Sequence, residues 1–538
     1  MSALTGTTRL LRLALRRDRL VLAVWILALT VFLAGTTHMS VVGLPTHRDV
    51  VTETRFMAAN PGMRLLSLSA GASVGAYAMS RSFLTVAILA AVMSVLCVVR
   101  HTRQNEETGR EELLRAGDVG PAAGLAAAVV LALGADLVLA PLLGLAMIVN
   151  GQPVAGSLAA GVAIAAVGVV FTGVAALAAQ LSSSARGARG LAMAALAVAF
   201  AVSGVGNMLG RVDASGLVAS AAWPTWLSPI GWGYELRPFG GDRWWLLALS
   251  LVFAAALLAV AGRYAARRDL GRGALPVRSG RAHASPRLRG PFGLAFRLQR
   301  TTFVAWLAGV VGFGLIFGSV SGSARTMTGN MREWYLRMGG TSHLLDAFYS
   351  SMIELAAMMV AIYVVQVLLR LREEESRGRL EPVLAGAVSR SRWVASQLAV
   401  AVLGAIALLV SFAAAMALAA GPAVGGTAGL LRELIFAALA QAPAVLVVAG
   451  AVLAVFALLP RRAVVVSWLL LAASILLSPV FGASLRLPQW AIDLSPFAHQ
   501  KAPALAVGTG AVVVVLAVAA ALGAAGFAAF RRRDVVAG

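Results

Sequence analysis

A single lysine, a single cysteine and a shortage of charge of either sign set the first limits on this 538-residue chain. Cys97 stands alone inside an apolar run, so no intramolecular disulfide can form and the expected state is a buried, inert thiol. Lys501 sits in His499-Gln500-Lys501-Ala502-Pro503 with no glycine-rich turn before it. A P-loop needs both the turn and a lysine that reaches the phosphates, so if ATP drives this protein the hydrolysis belongs to another chain. Charged residues make up 13% of the sequence, against roughly a quarter in soluble domains. Hydrophobic residues make up 59% and the mean hydropathy is +0.84, values that call for lipid as the solvent. The six histidines are scattered and no metal-ligand spacing occurs, so no catalytic, cofactor-binding or metal-binding residue is assigned.

What the chain does have is apolar length. A bilayer core takes about 20 apolar residues per helix. Runs of that kind lie near 20–37, 83–99, 121–149, 157–181, 190–209 and 244–262, then near 302–320, 353–369, 393–420, 434–459, 463–482 and 502–530. They predict an all-α integral membrane protein with about twelve spans, the longest of which should tilt, kink or emerge into the headgroups. Net charge is +22 and the pI about 11.6. The arginines cluster between apolar runs without interleaved aromatics, which excludes nucleic acid as the partner and points to topology. Twelve spans put both termini on one side. With the termini and the segments around 100–115, 186–189, 263–300, 370–392 and 461–462, that side holds 32 of the 45 basic residues and the other 13. The 23 acidic residues divide nearly evenly, 12 and ten, with Asp136 inside a span. The asymmetry is in Arg and Lys, so the arginine-rich side, termini included, is expected in the cytoplasm. No cleaved signal peptide is expected.

The stretch Arg9-Leu10-Leu11-Arg12-Leu13-Ala14-Leu15-Arg16-Arg17 reads either as a helix in the headgroup layer or as a basic flank that sets orientation. Residues 266–292, within an Arg-, Gly-, Pro- and Ser-rich segment, read as a cytoplasmic linker between halves 1–265 and 293–538. Regions 39–81 and 321–352 carry turn signals such as Asn60-Pro61-Gly62 and Gly339-Gly340 and are placed outside, with room for short helices.

An internal repeat organises the rest. At an offset of 269 residues, Glu106, Gly109, Arg110, Glu112, Ala116 and Gly117 fall on Glu375, Gly378, Arg379, Glu381, Ala385 and Gly386, each set following the second span of its half. At 281, Arg16, Arg19 and Trp25 fall on Arg297, Arg300 and Trp306. At 267, Trp223 and Leu227-Ser228-Pro229 fall on Trp490 and Leu494-Ser495-Pro496. Six spans per copy put both copies the same way up, as two parallel repeats related by a pseudo-twofold along the membrane normal. The two charged loops then form a pair of cytoplasmic contact surfaces, suited to a pair of soluble motor subunits.

Thr108 and Glu111 fit a capping box that would start a short helix, with Leu113 and Leu114 available to pack on the bundle. The second copy lacks the box, and its Pro382 fits only a first helical turn. A solvated turn explains any one such loop; recurrence of its charges in two diverged halves favours docking. The candidate coupling residues are Glu106, Glu107, Gly109, Arg110 and Glu112 with Glu374, Glu375, Gly378, Arg379 and Glu381. Asp136, deep in a run with Pro141 five residues on, either lines a substrate path or is held between helices. Gln180 and Gln441 join it as path candidates, and Glu354 and Gln366 also lie near span ends.

The Glu-Glu-x-x-Gly-Arg-x-Glu-x-x-x-Ala pattern and the Leu-Ser-Pro element resemble the permeases of type-2 ABC exporters, above all the fused twelve-span actinobacterial permeases of polyketide-antibiotic and multidrug exporters, including the tetronasin type. The resemblance implies an interfacial helix before each first span (9–19 and 293–300), a coupling helix at 105–117 and 374–386, and short re-entrant helices near 212–236 and 484–500. It further implies a bacterial cytoplasmic-membrane location and two copies of a separate P-loop ATPase subunit that carries ATP and Mg. The cargo it implies is a hydrophobic or amphiphilic small molecule. Asn105 stands where the second copy has Glu374, so the two sites need not be equal. A proton-coupled secondary transporter and a non-transporting membrane scaffold remain the alternatives; the former would need titratable groups in the bundle, where Asp136 is the candidate.

Overall fold

The computed structural model describes residues 2–115, 117–269, 271–275, 283, 285, 290–324, 343–484, 487–499 and 509–534. Lys501, Ala116, the Gly339-Gly340 turn and much of the 266–292 stretch lie outside them. The chain forms two compact units, Met1–Gly280 and Arg281–Gly538. Among the described residues, eleven helices are long and apolar enough to cross a membrane. Lipid offers no hydrogen bonds, so a spanning backbone must satisfy itself internally, which these Ala-, Leu- and Val-rich runs do as helices.

The first unit contains α1 (Thr7–Gly43), α2 (His47–Ala59), α3 (Pro61–Leu66), α4 (Val74–His101), α5 (Arg103–Glu107), α6 (Arg110–Arg115), α7 (Ala123–Ile148), α8 (Val154–Leu181), α9 (Ala185–Met208), α10 (Pro229–Glu235) and α11 (Trp245–Arg267). The long members are α1, α4, α7, α8, α9 and α11. No break separates the basic residues Arg9 to Arg19 from the first span. They are the opening turns of a helix about 55 Å long at 1.5 Å per residue, so the expected separate interfacial helix is absent. Helix α8 packs against α4, α7, α9 and α11. Small residues allow that approach. A β-carbon at Gly161 would lie 2.1 Å from the Ala140 carbonyl oxygen of α7.

At the opposite end from α5 and α6, α2 starts from a capping box made by Thr46 and Asp49. The Asn60-Pro61-Gly62 turn opens α3, with Asn60 Oδ1 accepting from the Gly62 and Met63 amides. Between α9 and α11 run a two-stranded hairpin (β1, Arg211–Val212; β2, Ala219–Ser220), a 3-10 turn (Trp223–Leu227) and α10. Ser228 of the Leu-Ser-Pro element caps α10 and donates 2.7 Å to the Ala199 carbonyl of α9.

The second unit follows the same order: α12 (Pro291–Ala324), α13 (Leu344–Ser376), α14 (Leu380–Leu384), α15 (Arg390–Val424), α16 (Thr427–Ala440), α17 (Ala442–Leu458), α18 (Ala463–Leu476), α19 (Pro479–Ser484), α20 (Gln489–Ile492), a 3-10 turn (Pro496–His499) and α21 (Thr509–Arg532). Residues 293–300 again continue into the first long helix without a break. Ser495 donates 2.7 Å to the Ser474 carbonyl of α18, repeating the tie of Ser228 to its fifth helix. Two expected spans differ. The run at 434–459 keeps its span, Thr427–Leu458, but its helix is interrupted at Gln441 between α16 and α17, because Pro443 supplies no amide and its ring would meet a carbonyl four residues back. The run at 463–482 yields the 14-residue α18, about 21 Å long, which stops short of Pro479 and is shorter than a hydrocarbon core of about 30 Å.

Close packing at Gly161 makes a direct test. Gly161→Leu should lower the thermal unfolding midpoint of the purified protein by several degrees. Gly134→Leu, at a site with nothing within 4 Å of the added carbon, should leave it nearly unchanged.

Candidate functional site

The candidate coupling residues begin where α4 ends. At Thr102 the backbone leaves helical geometry (φ −113°, ψ −95°) and α5 turns away. Arg103, the first residue of α5, is completely buried. Its Nε donates to the Ala179 carbonyl, Nη1 to Glu106 Oε2 at 2.8 Å and Nη2 to the Arg272 carbonyl at 2.8 Å. Arg268, which follows α11, grips the same carboxylate, with Nη2 on Glu106 Oε1 and Nη1 on Oε2 at 3.0 Å. The Gly271 amide adds a fourth N–H donor at 3.3 Å. Glu106 is therefore held between two guanidiniums and joins the end of the second long helix to the end of the sixth.

The second unit builds the same arrangement, with Arg372 and Glu375 at the 269-residue offset and Arg533, 265 residues after Arg268, in the place of Arg268. Glu375 is fully buried, with Arg372 Nη1 at 3.3 Å and Arg533 Nη2 at 2.8 Å. Arg533 follows α21 as Arg268 follows α11. Its guanidinium lies over the rings of Phe456 and Phe530 at 4.9 and 5.2 Å, which gives a delocalised cation an apolar seat. Arg390 Nη1 donates 2.6 Å to the Arg533 carbonyl.

The repeated glycine has a backbone reason. Gly109 and Gly378 have φ of 69° and 66°, in the left-handed region that glycine enters without strain, and each amide donates to the carbonyl of the clasped glutamate three residues back. After each glycine the chain starts a short helix, α6 or α14. Glu112 and Glu381 on those helices are exposed, as are Arg110 and Arg379. Glu374 is half-buried and pairs with Arg379 at 3.0 Å. Pro382 occupies the third position of α14, inside the first turn.

These placements separate the candidate coupling residues. Glu106 and Glu375 point inward, where the guanidiniums replace the hydration that a carboxylate loses on burial. Glu107 Oε1 accepts from the Ala185 amide at 2.8 Å and so sits at the N-terminus of α9, where the orphan amides favour an anion. The expected capping box is not formed. Thr108 Oγ1 donates to the Gln104 and Asn105 carbonyls and closes α5 instead, while Glu111 turns inward to within 3.0 Å of where a Gly124 β-carbon would stand. Leu113, expected against the bundle, is 78% exposed. It borders a cavity of about 220 Å³ between the start of α1, α6 and the start of α7, lined also by Leu10, Leu13, Arg17 and Leu114.

The three path candidates separate. Asp136 is fully buried in α7, where Ser94 Oγ of α4 donates to it at 3.0 Å and Gly168 of α8 leaves room for the carboxyl. Gln180 belongs to the clasp: its side-chain carbonyl accepts from Arg268 Nε and its backbone carbonyl from the Ala274 amide at 3.0 Å. Residues 268, 269 and 271–275, within or next to the expected cytoplasmic linker, thus lie along the end of α8. Gln441 marks the break between α16 and α17.

Sequence reading missed Asp18, hidden among Arg16, Arg17 and Arg19. It is buried, 2.7 Å from His101 Nε2 and 3.1 Å from Arg100 Nη1, and ties α1 to the end of α4. It also missed the arginine three residues before each clasped glutamate, a signal that recurs at Arg103 and Arg372. Gly71-Ala72-Ser73-Val74-Gly75 has the spelling of a nucleophile elbow, but Ser73 accepts from the Ala76 amide as the N-cap of α4 and no β-strand leads into it. Among the described residues no group of His, Cys, Asp and Glu could hold a metal ion.

Residues 288–531 match the family described as multidrug efflux system permease Rv1217c, C-terminal domain. The multidrug efflux system permease protein Rv1217c of Mycobacterium tuberculosis (strain ATCC 25618 / H37Rv) is 40% identical over 545 residues, covering 99% of this chain and 96% of that protein.

Glu106→Gln should reduce unfolding free energy by about 3 kcal/mol, since it leaves two guanidiniums facing one neutral amide. Glu112→Gln, at an exposed position, should stay within about 0.5 kcal/mol. Denaturant unfolding of the two variants in detergent checks the contrast.

Proposed function

Since the chain belongs to the family of multidrug efflux system permeases, we propose that it is the membrane-spanning subunit of a type-2 ABC exporter, powered by two copies of a separate P-loop ATPase that bind ATP and Mg. It extrudes hydrophobic or amphiphilic compounds from the bacterial cytoplasmic membrane. The chain's halves are a fused duplication of one six-helix unit, 1–265 and 293–538 about the 266–292 linker, with both termini in the cytoplasm.

The observation that carries this reading is the division of labour inside the repeated motif. In each unit the first matched glutamate is locked to the chain's own arginines, and six residues later the last one, Glu112 or Glu381, is exposed on a short helix that the glycine turn projects. A rigid base with an exposed acid at its tip suits transmission of force from a soluble partner. In the first unit, exposed Leu113 and the cavity beside it add an apolar seat for a partner side chain. The clasps carry the motion further, because a push on α6 reaches the ends of α4 and α11 together, and a push on α14 those of α13 and α21.

Glu112→Arg combined with Glu381→Arg should cut co-purification of the ATPase at least tenfold while the protein still inserts and unfolds at the wild-type temperature. Unchanged co-purification would remove the docking role. Transport in vesicles that continues without ATP and collapses with the proton gradient would instead favour a proton-coupled transporter.

A further inference from the structure

The second unit holds an aromatic-walled groove that the clasps do not use. One face of α12 (Phe292, Phe296, Phe303) and one face of α15 (Val400, Leu403) form its walls, and Tyr363 of α13 forms its floor. Its volume of about 350 Å³ falls in the range of small-molecule sites. Phe303 and Trp306 meet the Tyr363 ring edge-on at 6.3 and 6.4 Å. Four aromatic side chains, Phe292, Phe296, Phe303 and Tyr363, thus line one groove in a chain that is 7% aromatic.

Two buried polar atoms at the groove have no protein partner among the described residues: Tyr363 Oη and Gln299 Oε1. Both residues line the cavity, and Tyr363 is 0% and Gln299 1% exposed. The Gln299 amide nitrogen is already engaged with Gln397 Oε1, which leaves its carbonyl over. Gly404 makes the place for the tyrosine hydroxyl, since a β-carbon there would stand 2.1 Å from Oη. Buried polar groups are costly to leave unpaired. The first unit shows the contrast at the positions the repeat offsets pair with these two. There Ser94 bonds Asp136, and Asp18 is met by His101 and Arg100. At these two positions the first unit pairs its side chains within the chain, by a hydrogen bond at Ser94 and ion pairs at Asp18, whereas at the groove Gln299 Oε1 and Tyr363 Oη have no such partner among the described residues. Arg300 also lines the groove and no carboxylate does, so the field favours a neutral or anionic occupant over a cation.

We propose that this groove binds an amphiphilic small molecule with a flat polycyclic body and a hydroxyl. The body lies among Phe292, Phe296 and Phe303, and the hydroxyl donates to Gln299 Oε1 and accepts from Tyr363 Oη. Any anionic group faces Arg300. The biological meaning rests on the exporter reading; the binding itself needs neither ATP nor a partner.

The test is equilibrium binding of tritiated 1-hydroxypyrene to the full-length protein in nanodiscs, with empty nanodiscs subtracted. Binding should saturate at one site per chain, and Tyr363→Phe and Gln299→Leu should each weaken it about fivefold. 1-Methoxypyrene, which cannot donate, should bind more weakly and lose nothing further in Gln299→Leu. Ala407→Trp, which fills the groove, should abolish saturable binding at an unchanged unfolding temperature. Binding that never saturates, or that is equal in wild type, Tyr363→Phe and Gln299→Leu, overturns the proposal and leaves the groove covered by lipid. The double variant Glu112→Arg and Glu381→Arg should bind the probe normally, so a failed docking reading and a failed groove reading give different results.

Discussion

A carboxylate taken out of water costs several kcal/mol unless cations and donors replace its hydration shell. Glu106 meets that demand with Arg103, Arg268 and the Gly271 amide, and Glu375 meets it with Arg372 and Arg533. Much of each unit's architecture at that end follows from the requirement. Neither α4 and α11 nor α13 and α21 can part there without exposing an unpaired charge. The residues after α11 must lie along α8 so that Arg268 and Gly271 can reach, and Arg533 must end α21 above two aromatic rings. Breaking one partner is far more damaging than never having buried the pair, so the clasp fixes geometry more than it adds stability.

Fixed geometry at the base gives the short helices their use. Gly109 and Gly378 turn the chain immediately after the clasp, so α6 and α14 start from positions set by buried ion pairs rather than by a flexible loop. Under the docking proposed above, force applied to the exposed glutamate would arrive at helix ends that are already joined.

Long apolar runs, the order of elements and the Leu-Ser-Pro turns were legible in the sequence because length, hydropathy and capping chemistry are local. The fate of Glu106 and Glu375 was not, since Arg268 and Arg533 lie more than 150 residues away along the chain. A repeated charge was read as a contact for a partner when half of it is a contact with the chain itself; the recurring Arg-x-x-Glu spacing carried that information. Thr108 closes the helix before it rather than opening the one after, a choice between two carbonyls and an amide that spacing alone does not decide. Asp18 was obscured by the arginines around it. The shortened α18 and the divided α16 and α17 were foreshadowed by Pro479 and Pro443, whose effect depends on neighbours the sequence does not reveal.

The central claim is that each repeated motif turns its first glutamate inward and its last outward. Carbodiimide labelling of accessible carboxylates with glycine ethyl ester, read by mass spectrometry on the protein in native membranes, measures this directly. Glu112 and Glu381 should label readily while Glu106 and Glu375 stay protected. Equal labelling of all four, or protection of Glu112 and Glu381 in the absence of any partner, would contradict the account.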